Sequence, residues 1–418
     1  MDDLEKYRIE QCVLDNGLRV IVKRLLSGGI SGVVAVRCGS IYETKGGNNG
    51  ISHFLEHLIY SGGIRRSRRN SPIYKIEKTG ADVNPTTSRF WTEYPFNLLQ
   101  RCWKSNFRML LDTIGSVDFS KAIFLLEQKI VANEKINDTD DLDSVMESRI
   151  FPRHSFSLPV DGIIKTVNAL TPRRLKNWHR RFYRPERTTV IVVGDTSIGE
   201  VVSIIKKTAI WQMADVSSIT IKEPPPAFIN WDASSTGGTL DTNAMRIVFS
   251  APVNPCDIVL FYYIVDMIND LSVVGMGWKI IQNLGLHEGM GIDEDKNIEL
   301  NSLCNYFVID FWAPSHKRLR SMERAFFSWV KKVNEGGLTR NSFVRIYNQH
   351  LEYIRLGVND ERWWGKLLAK MVTQNFSQAL EICINPEILG AVEIKKEVER
   401  VFRATVGDKH VVFRNFKK

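Results

Sequence analysis

The sequence predicts an α+β protein of two homologous lobes, each a mostly antiparallel sheet with helices packed on it. Three observations carry this expectation. The chain has 418 residues, 44% of them hydrophobic, enough for more than one core. Short alternating apolar runs bounded by Gly and Asn turns interleave with helix-period segments in both halves. Between them lies a Pro-, Ser- and Gly-rich stretch, including Pro224-Pro225-Pro226 and the run Ala233 to Thr239. The expected boundaries are an N-terminal lobe at 1–212, a linker at 213–243 and a related C-terminal lobe at 244–418.

Taken in order, Gln11 to Lys23 alternates around Asn16-Gly17, a hairpin signal, and Gly32 to Cys38 reads as a further strand. After the turn-rich stretch Gly46 to Gly50, Ile51 to Tyr60 has helical apolar spacing, with Ser52 near its start. Pro72 to Lys78 reads as a helix, Ala81 to Leu98 as extended chain, and Arg101 to Ile114 as an amphipathic helix. Phe119 to about Arg149 lacks Gly and Pro and reads as one long helix, with a possible break at Asn137-Asp138. A helix near Pro172 to Phe182, a strand Thr188 to Val193 and a helix from Ile198 to about Ile210 complete the half.

The second half repeats the order: strand Met245 to Ser250, helices Asp257 to Leu271 and Met276 to Leu284, strands near Met290 and at Tyr306 to Trp312, long helices, and a last strand His410 to Phe413. Its longest apolar stretch, Ile258 to Ile268, is too short for a bilayer and holds Asp266. The start, Met-Asp-Asp-Leu-Glu, lacks a basic n-region. Six scattered cysteines show no C-x-x-C spacing and fit reduced thiols. These features together predict a cytoplasmic protein without a membrane span.

The net charge of +9 lies wholly in the first half, where residues 1–210 hold 32 Lys and Arg against 23 Asp and Glu. Such an excess can steer acidic peptides or an acidic partner. Nucleic acid is excluded as the expected ligand, because no RNP-like, zinc-finger or basic-helix pattern accompanies the charge. The run Arg65, Arg66, Arg68 and Arg69 reads as a solvated loop or a peptide attractor, and sequence leaves its role open.

The most informative residues are His53-Phe54-Leu55-Glu56-His57. On a helix, the imidazoles at i and i+4 share one face with the carboxylate at i+3 beside them. Two histidines can grip one zinc ion, and a catalytic site needs a third protein ligand plus an open position. Glu56 is placed to take a proton from water made acidic by the metal, which is the chemistry of peptide-bond hydrolysis.

H-x-x-E-H is the inverzincin signature, and the chain resembles the pitrilysin-like zinc metallopeptidase family. That family draws its third ligand from a glutamate on a later helix. Glu134 follows His57 after 76 intervening residues, the family's separation, so the resemblance implies His53, His57 and Glu134 as ligands of one Zn2+ per chain. It also implies Glu127, two turns before Glu134, as the acid that supports the metal site from behind. Asn16 to Val20, Gly39-Ser40 with Glu43, His154 to Gly162, and Tyr183-Arg184-Pro185 through Gly194-Asp195 resemble the family as well. The likeness spans most of residues 10–210, and beyond the linker it rests on element order.

Asp82-Val83-Asn84 resembles the family's substrate-binding edge strand, with Asn84 as the leading contact, but Pro85 departs from the pattern and removes a backbone donor. Family members that complete the site from their C-terminal portion use an arginine and a tyrosine seven positions apart. Aligned on Gly285-Leu286, those positions are Ile281 and Glu288 here. The resemblance therefore implies the zinc-bearing subunit of a heterodimer whose homologous partner supplies the pair, acting on short unfolded peptides or a peptide precursor. Two other readings stand: a non-catalytic structural or binding subunit of the same fold, and a self-sufficient homodimeric peptidase.

Overall fold

The computed structural model describes residues 7–43, 47–61, 71–117, 119–137, 142–212, 229–237, 243–252, 254–269, 289–291, 298–299, 304–373, 379–406 and 409–415. The positions 281, 285, 286 and 288, the arginine run at 65–69 and the helix expected at 276–284 lie outside them. The chain divides into two compact units. The first is Met1–Ser148, Arg153–Pro225 and Gly357–Thr373, and the second is Arg149–Pro152, Pro226–Leu356 and Gln374–Lys418.

The first unit holds strands β1 (Ile9–Val13), β2 (Arg19–Arg24), β3 (Gly29–Val36), β4 (Asp82–Val83), β5 (Thr86–Thr87), β6 (Thr92–Leu99) and β7 (Thr188–Gly194). They form one sheet in the order β1-β2-β7-β3-β6-β4, with β5 also on β6. Only β2 and β7 run parallel. Asn16-Gly17 makes the β1–β2 hairpin as its sequence predicts, with Gly17 at φ 85°, a conformation that favours glycine. The sequence of β7, Thr-Thr-Val-Ile-Val-Val-Gly, is buried throughout because the strand is central and covered on both faces.

One face is covered by helices that include α1 (Ile51–Tyr60), α2 (Trp103–Gly115), α3 (Lys121–Asn137) and α4 (Pro172–Phe182). Phe54, Leu55 and Leu58 of α1 join Val34, Tyr94, Phe107, Leu175 and Val190 in a single core. Each fully buried Leu or Phe contributes about 1.5–3 kcal/mol. The other face carries the helix Glu361–Thr373, which packs on β3 and β7 and buries Trp364 and Leu368. That helix belongs to the first unit although it lies far beyond the expected linker. The long helix expected from Phe119 is two helices, α3 and Leu142–Ile150. The helix expected from Ile198 to Ile210 is likewise two, Ile198–Ile205 and Ala209–Gln212.

The second unit has strands β8 (Ser235–Gly237), β9 (Asn243–Ser250), β10 (Gly289–Gly291), β11 (Ile298–Glu299), β12 (Tyr306–Ala313) and β13 (His410–Asn415). Their order is β10-β12-β9-β13-β8, with β11 also on β12 and only β8 and β13 parallel. This repeats β4-β6-β3-β7-β2 of the first sheet, including the parallel pair, and gives the expected pseudo-repeat a topological basis. Residues 235–237, read from composition as linker, form a strand in this sheet.

His179 on α4 is buried and hydrogen-bonded through Nε2 to the Ile114 carbonyl at 2.8 Å. Burial lowers its pKa to about 4. The unfolded imidazole titrates near 6.5, so the unfolded chain holds more protons between those values, and stability is lost as pH falls from about 6.5 to about 4. The loss is about 3 kcal/mol. Buried Glu43 and Glu93, both raised to about 7 by burial, act oppositely: the stability they contribute is present at low pH and lost as pH rises from about 4.5 to 7. The difference between wild type and His179→Gln isolates the histidine. Urea unfolding at pH 7 and pH 4.5 is expected to show the variant spared about 2 kcal/mol of acid destabilisation, most of the full loss.

Candidate metal centre

Helix α1, which carries His53 and His57, is preceded by Gly50, whose φ of 86° and close approach to Gly162 leave no room for a side chain. The sequence points to Ser52 as the start signal, yet the cap comes from upstream. Glu43 accepts hydrogen bonds from the Gly50 N–H at 2.7 Å and the Ser52 N–H at 2.9 Å. A carboxylate at this end also meets the positive pole of the helix. Burial pushes the Glu43 pKa up to about 7 against the lowering effect of those donors. The Ser52 hydroxyl instead accepts from Trp178 Nε1 at 3.2 Å, tying α1 to α4. Phe54 packs on Phe124 with ring centroids 5.2 Å apart, fixing α1 against α3.

That contact brings residues distant in sequence together. One ligand atom each of His53, His57 and Glu134 lie within 4.8 Å of one another. The imidazole rings stand 4.6 Å apart, edge to face, and His57 Nε2 is 3.4 Å from Glu134 Oε2. Zinc bonds of about 2.0–2.2 Å in a tetrahedron separate neighbouring ligand atoms by about 3.4 Å, so this donor set fits the ion. On the other side of the ring, His57 Nδ1 is 3.5 Å from Glu127 Oε2. A hydrogen bond there puts the ring proton on Nδ1 and leaves the Nε2 lone pair on the side of Glu134. Burial lowers the His57 pKa, but Glu127, Glu56 and Glu134 outweigh it and leave the pKa raised.

Glu56 is 6% exposed beside this cluster, and burial raises its pKa against the charge of His57 and a hydrogen bond from Thr87. Thr87 Oγ1 donates to Glu56 Oε2 at 2.9 Å. His53, His57, Glu56 and Glu134 line a cavity of about 430 Å³ together with Tyr60 and the segment Asn84 to Thr87. Of the expected substrate strand, Asn84 reaches this cavity. Asp82 accepts from Asn97 Nδ2 at 3.3 Å instead, and Val83 is buried in the core. Neither Asp82 nor Val83 is among the described lining residues.

The strand β4 ends the sheet order, and the Asn84 N–H donates back to the Pro95 carbonyl of β6 at 3.4 Å. Backbone groups alternate along a strand, so residues 83, 85 and 87 present theirs to the edge. Pro85 thus deletes a donor from the edge itself. Tyr60, Thr86 and Thr87 were not legible as site residues; only the register that sets Thr87 opposite Thr92 reveals the last of them.

The six cysteines form no disulfide with one another, and no helix among the described residues is long and apolar enough to cross a membrane. Among the described residues, the His53, His57 and Glu134 group is the one cluster that could hold a metal.

Residues 30–153 match the model of the insulinase family, peptidase family M16, and residues 169–224 match the M16 inactive domain. A mitochondrial-processing peptidase subunit beta from Dictyostelium discoideum is 26% identical over 209 residues, 49% of this chain and 44% of that one. The zinc protease PqqE of Helicobacter pylori is 29% identical over 209 residues, 47% and 46% of the two chains. The match spans somewhat under half the length of these relatives. A solved structure of a protease from Helicobacter pylori, 19% identical, shares the fold with a TM-score of 0.83 over 97% of this chain and 99% of that one.

Proposed function

We propose, for a chain that belongs to the M16 (insulinase/pitrilysin-like) peptidase family through the half that carries the site, that it is a zinc-dependent endopeptidase subunit. The observation that carries this reading is the convergence of His53, His57 and Glu134 with Glu56 beside them. His53, His57 and Glu134 would hold a zinc ion, with Glu127 beside His57 Nδ1 to orient its ring. The chemistry supplied by an ion held there would be a more acidic water and a polarised scissile carbonyl. Glu56 takes the proton from the attacking water and returns it to the leaving amine.

The edge beside Asn84 pairs with an extended peptide by strand addition, which selects unfolded substrates over folded ones. Because Ile281 and Glu288 stand where self-complete relatives of this fold carry an arginine and a tyrosine, the active form is a heterodimer with a homologous chain. The test is mass-spectrometric detection of new termini after incubating a mixed unfolded-peptide library with the zinc-loaded chain, alone and with candidate related chains. Cleavage that a chelator abolishes is expected. Cleavage by the lone chain would favour the homodimeric reading over the heterodimer, and no cleavage with any partner would overturn the peptidase reading.

A further inference from the structure

Resting on that peptidase reading, we propose that Thr87 is a positioning residue: its hydroxyl pins Oε2 of Glu56 and so commits Oε1 to the proton transfers. Ser88 N–H donates to the Trp91 carbonyl at 2.8 Å, a tight turn that sets Thr87 opposite Thr92 across β5 and β6. The turn is held from outside. Buried Arg89 bonds the Leu158 carbonyl and Glu147, and the Ile41 N–H donates to the Arg89 carbonyl at 2.9 Å. Gly39 packs where a Cβ would stand 2.4 Å from the Arg89 carbonyl oxygen.

Held in this way, Thr87 Oγ1 lies 2.9 Å from Glu56 Oε2 and 3.5 Å from Thr92 Oγ1. Thr92 spends its own hydrogen on the Cys38 carbonyl at 2.8 Å. The Thr87 hydrogen therefore goes to the nearer acceptor, Glu56 Oε2. Oε2 accepts that bond whether or not Oε1 carries a proton, since the second oxygen of a carboxylic acid remains an acceptor. A base that must take one proton and give it back keeps a single orientation through both steps. A backbone contact could serve the same purpose, but a side-chain hydroxyl on the edge strand also couples the base to the strand that holds the peptide.

The test uses the full chain, with its partner if cleavage needs one, as wild type, Thr87→Val and Thr87→Ser. Thr87→Val is expected to lower kcat about 10- to 100-fold, the scale of a hydrogen bond to a charged group, while KM, bound zinc and melting temperature stay put. Thr87→Ser is expected to stay within about threefold of wild type. Crystal structures of wild type and Thr87→Val are expected to differ in the Glu56 rotamer, a readout independent of cleavage. Unchanged kcat in Thr87→Val, an equal loss in Thr87→Ser, or an unmoved Glu56 side chain overturns the proposal. Should no form cleave any peptide, the peptidase reading fails by itself and the Glu56 rotamer still decides what Thr87 does.

Discussion

Replacing Glu56 by Gln is expected to lower kcat for peptide cleavage by about 10²- to 10⁴-fold, the range that a lost general acid–base group commands. The substitution keeps the shape of the side chain and an oxygen that can accept from Thr87. It removes the capacity to take a proton. Glu56 sits between the two histidines on α1 yet is not one of the three clustered ligand residues, so zinc content is expected to equal that of wild type. Steady-state kinetics beside metal analysis on the same sample checks both halves. Full activity in Glu56→Gln would remove the base from the mechanism.

The second large effect concerns the metal. His57→Ala deletes the imidazole at the centre of the cluster, where Nε2 meets Glu134 and Nδ1 meets Glu127. Zinc affinity in competition with a chromogenic chelator is expected to fall by more than about 100-fold. Glu134→Gln is expected to weaken binding in the same direction. Glu127→Gln, which disturbs only the orientation of His57, is expected to cost about 10- to 100-fold. The melting temperature of wild type should rise with zinc, because a ligand at 100 times its Kd stabilises by about 2.7 kcal/mol, and that rise should vanish in His57→Ala. An equal rise in both proteins would place the metal elsewhere.

The parts of this architecture that were readable from sequence are local ones. The spacing of His53 and His57 announces a shared helical face because the helix period is local geometry. Asn16-Gly17 announces a hairpin because its turn type admits few other residues. The Glu43 cap is not legible in the sequence, because the side chain reaches α1 from before the preceding turn, while Ser52, the obvious cap by position, is engaged by Trp178. Thr87 became visible only with the cross-strand register, which nothing within β5 encodes. Glu134 was legible through the spacing known for a family, whereas the fold places it by the packing of Phe54 on Phe124. The segment 235–237 looked like linker because a short Ser-Gly strand at the end of a sheet has the composition of one.

The helix Glu361–Thr373 gives the molecule a property of another kind. Gly365 lies against Ser31 and Gly32, where an added Cβ would meet Ser31 Oγ at 3.1 Å, and Lys23 Nζ stands 4.1 Å over the Trp364 ring. A fragment ending at residue 212 would keep His53, His57 and Glu134 and still lack one wall of its own core. The half that carries the His53, His57 and Glu134 cluster is thus not contiguous in sequence: its sheet is covered on one face by a helix that the chain reaches only after building much of the second unit.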